Sequence, residues 1–378
     1  MRDTHLSEVE RDLLERTRKL GHEVFAPLAE AGEPSRINRP LVRALGDHGL
    51  LPRVLPRDGE GSAVELCLLR EGLAHGCTEA ETALALQGLG GYPILRFGSR
   101  DLVETWVPRL AGGDAVAAFA LSEPDAGSDA ASLALRAERE EGGFRLTGTK
   151  IWISNAPEAD VYTVFARTTP DAGARGITAF AVPRETPGLA GEPLTLVAPH
   201  PIGRLDFHNV RVGADRVLGD VDSGFRVAMH TLDLFRPSVG AFAVGMAQAS
   251  LDAAVSHAAR RRAFGRPLSE FQAVAHQLAD VATRVQAARL LVHRAAVDYD
   301  AGIRPVARAS AMAKLFATET AQQAVDAAIQ VHGARALEQG HLLEHLYREV
   351  RAPRIYEGAS EVQREIIARH LFEEIDAA

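Results

Sequence analysis

The sequence predicts a mainly α-helical protein with a central β domain. Three observations predict it. Apolar residues at helical spacing fill the first third, and short β-rich runs separated by turn residues fill the middle. Unbroken steps of three and four then run to the end. The expected domains are 1–117, helical; 118–222, β; and 223–378, a helical bundle.

In the first zone Leu13, Leu14, Leu20 and Val24 open an amphipathic stretch. Pro27 and the Gly32–Pro34 region are expected to interrupt it. Leu41, Leu45 and Leu50 resume the pattern, and Leu66, Leu69 and Leu73 continue it. Gly/Pro clusters at 52–61 and 88–93 read as connections.

The second zone holds the runs Phe144–Thr147, Ile151–Ser154, Val161–Ala166, Ile177–Val182 and Leu205–Val210. Gly142-Gly143, Asn155-Ala156-Pro157, Gly173 and Pro187-Gly188 separate them. That spacing predicts a small β-barrel or sandwich.

In the third zone Leu232, Phe235, Val239, Phe242 and Met246 form one apolar stripe. Val274, Leu278, Val281, Val285, Ala288 and Val292 form another. Abundant alanine permits close helix approach, so a four-helix bundle is expected.

Composition narrows the function. Apolar residues make up 46% and charged residues 24%, with a net charge of −8. Such a chain buries a large core, is not predominantly disordered and is a poor general binder of nucleic acid. No apolar run reaches roughly 18 residues, so no membrane span is expected. Met1–Glu8 lacks the apolar segment of a secretory signal, and a cytoplasmic location is expected. Cys67 and Cys77 then read as core thiols. The 14 histidines show no metal-ligand spacing, so no metal is expected. Dinucleotide, phosphate-loop and Gly-x-Ser-x-Gly signatures are absent.

Three segments can carry chemistry. Phe119–Asp129 is dense in hydroxyls, Gly and Pro; it is either an ordinary turn or a cradle for a polar ring edge or phosphate. Gly148–Ala156 puts Trp152 two residues before Ser154, on one face of a regular strand. The indole is either core or the wall of a flat heterocycle site. Arg354–Arg364 puts Glu357 just before a helix whose Ser360 and Gln363 have capping-box spacing. The helix dipole favours the ionised carboxylate there and apolar surroundings oppose it. Glu357 is therefore either a poised general base or a surface acid complementing the dipole.

Together and in this order, these segments resemble the acyl-CoA dehydrogenase family. Pro93–Ser99, Arg261–Gly265, Phe271-Gln272, Ala311–Lys314 and Ile329–Gly333 extend the match, which covers about residues 80–372. The resemblance implies a helical N-terminal domain, a β-barrel middle domain and a C-terminal four-helix bundle. It implies one FAD per subunit, a homotetramer (or homodimer), and α,β-dehydrogenation of an acyl-CoA to the trans-2-enoyl product in fatty acid metabolism. Electrons would pass to an electron-transfer flavoprotein.

By matching position, Glu357 is the base that removes the α-proton while flavin N5 accepts the β-hydride. Its N–H and a ribityl hydroxyl would polarise the thioester carbonyl. Phe119, Leu121, Ser122 and Ser128 belong to the flavin-edge loop, with Ser128 also touching the substrate's pantetheine arm. Trp152 and Ser154 lie beside the flavin. Arg261, Phe264 and Gln272 would reach a neighbouring subunit's FAD, and Gln330 and Gly333 complete that site. Ala359 and Glu361 also match cofactor positions. Asp233, Arg236 and Gly358 match substrate-contacting positions, although Asp233 and Arg236 also have the spacing of a structural ion pair. Some members carry the base immediately before that arginine; here the position is Phe235, leaving Glu357 as the candidate.

Two departures stand out. Gly333-Ala334-Arg335-Ala336 replaces the family's Gly-Gly-x-Gly, so any positive φ at the alanines would be strained and would loosen the cofactor. Ala359 replaces a threonine and loses a hydroxyl. Tyr92 and Phe235 at acyl-pocket positions suggest a short or compact acyl group. The alternatives are a dehydrogenase or oxidase acting on a carrier-protein-bound acyl group, and a non-catalytic scaffold. A nitroalkane oxidase would be expected to carry Asp at position 357.

Overall fold

The computed structural model describes residues 6–57 and 61–376. The chain forms two compact units: Met1–Ala26, Ser62–Glu81 and Asp233–Ala378 in one, Pro27–Gly61 and Thr82–Leu232 in the other.

The first unit is helical. Phe235, Val239, Phe242 and Met246 on helix Gly224–Arg260 are fully buried or nearly so. Leu278, Val281, Val285, Ala288 and Val292 on helix Gln272–Asp300 are buried as their spacing predicts. The third long helix, Ala307–His332, buries a seam of alanines that includes Ala313, Ala317, Ala321 and Ala328. Gly240 lets these helices meet: a Cβ there would lie 2.6 Å from Val292. Ser360–Asp376 packs on Ala307–His332 and completes the helical array. Asp300 accepts hydrogen bonds from the Ser62 hydroxyl (2.6 Å) and the Ala63 N–H (2.7 Å), satisfying the start of helix Ala63–Gly76. Helix Gly224–Arg260 is long and apolar enough to cross a membrane by composition, but 78% of its most apolar window is buried within the fold.

The second unit is built on one mixed sheet. Its strands are β1 (Ala117–Ala120), β2 (Arg136–Glu140), β3 (Gly143–Ser154), β4 (Val161–Arg167), β5 (Ile177–Pro183), β6 (Leu189–Pro193), β7 (Ile202–Gly213) and β8 (Val217–Leu218). They pair in the order β6-β7-β3-β2-β4-β5-β8, with β1 parallel to β4. β4 and β5 are buried on both faces, which explains their continuous rather than alternating apolar runs. Gly142, Asn155, Gly173 and Gly188 all take positive φ at the expected turns.

Several local expectations are corrected. Pro27 does not interrupt its helix. A π-turn over Gly21–Phe25 precedes it, and helix Ala26–Glu30 carries the proline in its first turn, where its missing N–H costs nothing. The 88–93 cluster is no connection but the interior of helix Thr78–Phe97. Its glycines serve packing: a Cβ on Gly90 would lie 2.6 Å from the Ala118 nitrogen on β1. The runs 144–147 and 151–154 are one strand with two irregularities in its pairing with β7. In the 52–61 cluster, residues 58–60 lie outside the described residues. Cys67 and Cys77 are free and buried, and burial pushes both thiols up.

Candidate active site

The structure brings Glu357, Gly358, Asp233 and Arg236 together in the helical unit. Glu357 and Gly358 take consecutive positive φ values of 51° and 96°. A non-glycine residue held there is strained, and the surroundings hold it. Lys314 Nζ donates to the Gly358 carbonyl at 2.6 Å and Gln363 Nε2 donates to it at 3.0 Å. Arg236 Nε donates to the Glu357 carbonyl at 3.4 Å. Glu319 grips both flanks, accepting from Ser360 Oγ at 2.8 Å and pairing with Arg354 at 2.9 Å. The expected capping box therefore does not form. The helix begins at Ser360 itself, so the Gln363 N–H bonds the Ala359 carbonyl at 3.0 Å, and the Gln363 amide turns back to the Gly358 carbonyl.

The Glu357 side chain is half-buried, and its Oε2 is buried with no hydrogen-bond partner. Burial raises its pKa above the ordinary 4.5; Arg70, Arg236 and Lys314 pull the other way without cancelling the effect. Lys314 is itself fully buried and pushed down to about 8 by burial, with Glu357 as the main opposing charge. Asp233 lies 3.8 Å from Arg236, so the expected i,i+3 ion pair is present. An unpartnered, desolvated carboxylate with raised affinity for a proton is equipped to take one from a weak acid.

The β unit carries the second group. Glu123 is buried and accepts from the Ala134 and Leu135 N–H groups at 2.6 and 2.9 Å. Lys150, fully buried on β3, donates to Glu123 at 2.8 Å and to the Leu121 carbonyl at 2.9 Å. The Ile151 N–H donates to the Ser122 carbonyl at 3.1 Å. These bonds fix the loop carrying Leu121, Ser122 and the exposed Ser128, beside the half-buried Phe119. Trp152 is not a core residue. It is 50% exposed with φ 55°, at an irregularity between Lys150 and Ile153 that breaks the simple alternation expected for Trp152 and Ser154. An exposed indole beside an anchored, hydroxyl-bearing loop suits a flat heteroaromatic ring.

The remaining candidates sit on the surface of the helical unit. Arg261 precedes a hairpin, Arg262–Ala263 with Arg266–Pro267, whose tip residue Phe264 is 96% exposed. Gln272 begins the following helix. Gln330 and Gly333 end helix Ala307–His332. Gly333 takes φ 69° and ψ −152°, which suits glycine, while Ala334 and Ala336 avoid positive φ. The strain expected at those alanines is absent because the segment folds as a 3₁₀ turn with Ala336 buried inside. Ala359 is half-buried and Glu361 exposed.

The comparisons with known proteins decide the family. Its N-terminal, middle and C-terminal domain models match residues 7–114, 118–210 and 222–372. The chain is 36% identical to cyclohexane-1-carbonyl-CoA dehydrogenase of Geobacter metallireducens, over 97% of this chain and 98% of that one. This chain belongs to the acyl-CoA dehydrogenase family. Butyryl-CoA dehydrogenase from Megasphaera elsdenii superposes with a TM-score of 0.91 at 31% identity, over 98% of this chain and all of that one. An FAD complex of PigA superposes with a TM-score of 0.91 at 28% identity, over 98% and 99% of the two chains. The chain is thus an FAD-dependent oxidoreductase. The exposed Trp152 and the braced Phe119–Ser128 loop fit an isoalloxazine ring.

Sequence reasoning missed the supports. Lys150 and Glu123 received no role, nor did Arg70 and Glu81, a buried ion pair. The available signal was charge inside runs otherwise apolar enough to be core.

Proposed function

We propose that this enzyme removes the α-proton and β-hydrogen of a compact acyl-CoA to give the trans-2-enoyl-CoA, with Glu357 as the base. The observation that carries the reading is the Glu357 carboxylate: buried at Oε2, unpartnered, raised in pKa, and within the influence of three cations.

The α C–H of a thioester is a weak acid, so a base of ordinary carboxylate strength is poorly matched to it. Desolvation raises the basicity of Glu357, while Arg70, Arg236 and Lys314 keep enough positive potential nearby for the charged form to persist. The proton passes to Glu357, the β-hydrogen leaves with its electron pair, and the Cα–Cβ bond becomes double. Bound FAD supplies the two-electron acceptor. The Glu357 N–H has no hydrogen-bond partner among the described residues and is free to donate to the thioester oxygen as charge builds there. Phe119, Leu121, Ser122, Trp152 and Ser154 would hold the flavin ring. Asp233, Arg236 and Gly358 would contact the substrate.

Compactness is supported by relatives named for cyclohexane-1-carbonyl and butyryl thioesters; Phe235 and Tyr92, expected at the acyl pocket, are fully buried in the core. An electron-transfer flavoprotein as acceptor, a homotetramer completing its FAD sites through Arg261, Phe264, Gln272, Gln330 and Gly333, and a cytoplasmic location complete the proposal. Anaerobic titration of the purified protein with acyl-CoAs of graded length and branching tests it. Short and cyclic members should bleach the oxidised flavin band. A flavin that no acyl-CoA bleaches contradicts the thioester reading.

A further inference from the structure

Arg70, one of the cations named above, forms a buried ion pair with Glu81 in the core of the helical unit. Arg70 is 3% exposed and Glu81 is fully buried, on helices Ala63–Gly76 and Thr78–Phe97, and they form an ion pair through Arg70 Nε. Burying such a pair is unfavourable unless its remaining donors are satisfied. Arg70 Nη1 donates to Ser238 Oγ at 2.7 Å. The Ser238 hydroxyl donates at 2.5 Å to the carbonyl of Phe235, the residue before Arg236. The Arg70 guanidinium also lies over the Phe242 ring, 5.8 Å from its centroid. Three contacts thus fix the cation, and Ser238 ties it to the helix turn whose Arg236 donates to the Glu357 carbonyl.

We propose that Arg70, pinned by Glu81 and Ser238, is a positioning residue that presents a fixed positive charge to the Glu357 carboxylate. The inference rests on Glu357 being the base. Arg70 acts on that carboxylate together with Arg236 and Lys314. Arg236 is shared with Asp233, and Lys314 is engaged by the Gly358 carbonyl and influenced by Glu319 and Glu361. Tyr356, beside the base, feels Arg70 together with Glu81 and Glu349. Arginine suits this role because it stays charged when buried, whereas a lysine in the same unit, Lys314, is pushed down to about 8.

Glu81 should temper the effect of Arg70, which gives the test two opposite signs. The Glu357 carboxyl stretch is followed by infrared titration of the purified protein, with Glu357→Gln as the subtracted blank. Arg70→Gln should move the titration up by about one pH unit, equivalent to about tenfold in protonation. Glu81→Gln keeps a hydrogen-bond acceptor, frees the Arg70 charge and should move it down. Arg70→Lys should stay closer to wild type than Arg70→Gln. The acid limb of anaerobic flavin reduction by butyryl-CoA should follow the same order. If Arg70→Gln does not fold, Glu81→Gln alone decides. Titrations unmoved by either change, or moved the same way by both, would overturn the inference. Wild-type flavin reduction in Glu357→Gln would instead overturn the base assignment and leave the infrared result standing.

Discussion

At the scale of the residue, the account turns on a carboxylate placed where it does not rest easily. Glu357 combines positive φ with an unpartnered buried oxygen, and both cost stability. Its folded pKa is raised above 4.5, so the native state holds this proton to higher pH than the unfolded chain does. The resulting contribution to stability is full below about 4.5 and is lost as pH rises through the folded pKa. Glu357→Gln should therefore melt higher than wild type at neutral pH, measured by thermal unfolding of matched preparations. The flavin-reduction rate should fall on the acid side with a midpoint above 4.5; a midpoint at or below it would contradict the raised pKa. The position of Glu357 before a helix was legible in the sequence. Arg236 was legible by matching position, but Arg70 and Lys314 were not, because they come from two further helices that only packing brings to the site.

At the scale of the element, the Lys150–Glu123 pair does for the loop what Lys314 and Gln363 do for the base. Lys150→Met leaves Glu123 buried without its counter-charge and should cost about 3–5 kcal/mol in urea unfolding, with loss of FAD. Adding Glu123→Gln should recover much of that stability, since an amide oxygen still accepts from the Ala134 or Leu135 N–H. Gly90→Ala gives a second test. Alanine is the better helix former, yet its Cβ would meet β1 backbone at 2.6 Å. Unfolding should show a loss of about 1–3 kcal/mol. Periodicity found the long helices and β4, β5 and β7 because their burial follows their spacing. It misread 88–93 because glycines chosen for close approach look the same in sequence as glycines chosen for a turn. It left Trp152 open between core and site, and its shared face with Ser154 fails because an irregularity shifts register without leaving a composition signal.

At the scale of the whole molecule, three family domain models cover the chain in order, whereas compactness groups it into two units. Residues 62–81 pack with the C-terminal helices, a long-range choice no local pattern encodes. Phe264, 96% exposed on a hairpin tip, is where assembly can be tested. Phe264→Ala should change unfolding stability by no more than about 0.5 kcal/mol. It should also lower FAD retention after gel filtration if neighbouring subunits complete the cofactor site, and light scattering of wild type should give a tetramer mass. Retention equal to wild type would remove Phe264 from that site. The central claim, that Glu357 takes the substrate proton, is tested most directly by anaerobic stopped-flow flavin reduction in wild type and Glu357→Gln, each loaded with FAD and mixed with the acyl-CoA that bleaches wild type fastest. The account predicts that the variant keeps its flavin and binds the thioester but reduces at least about 10²-fold more slowly. Reduction at the wild-type rate would contradict it.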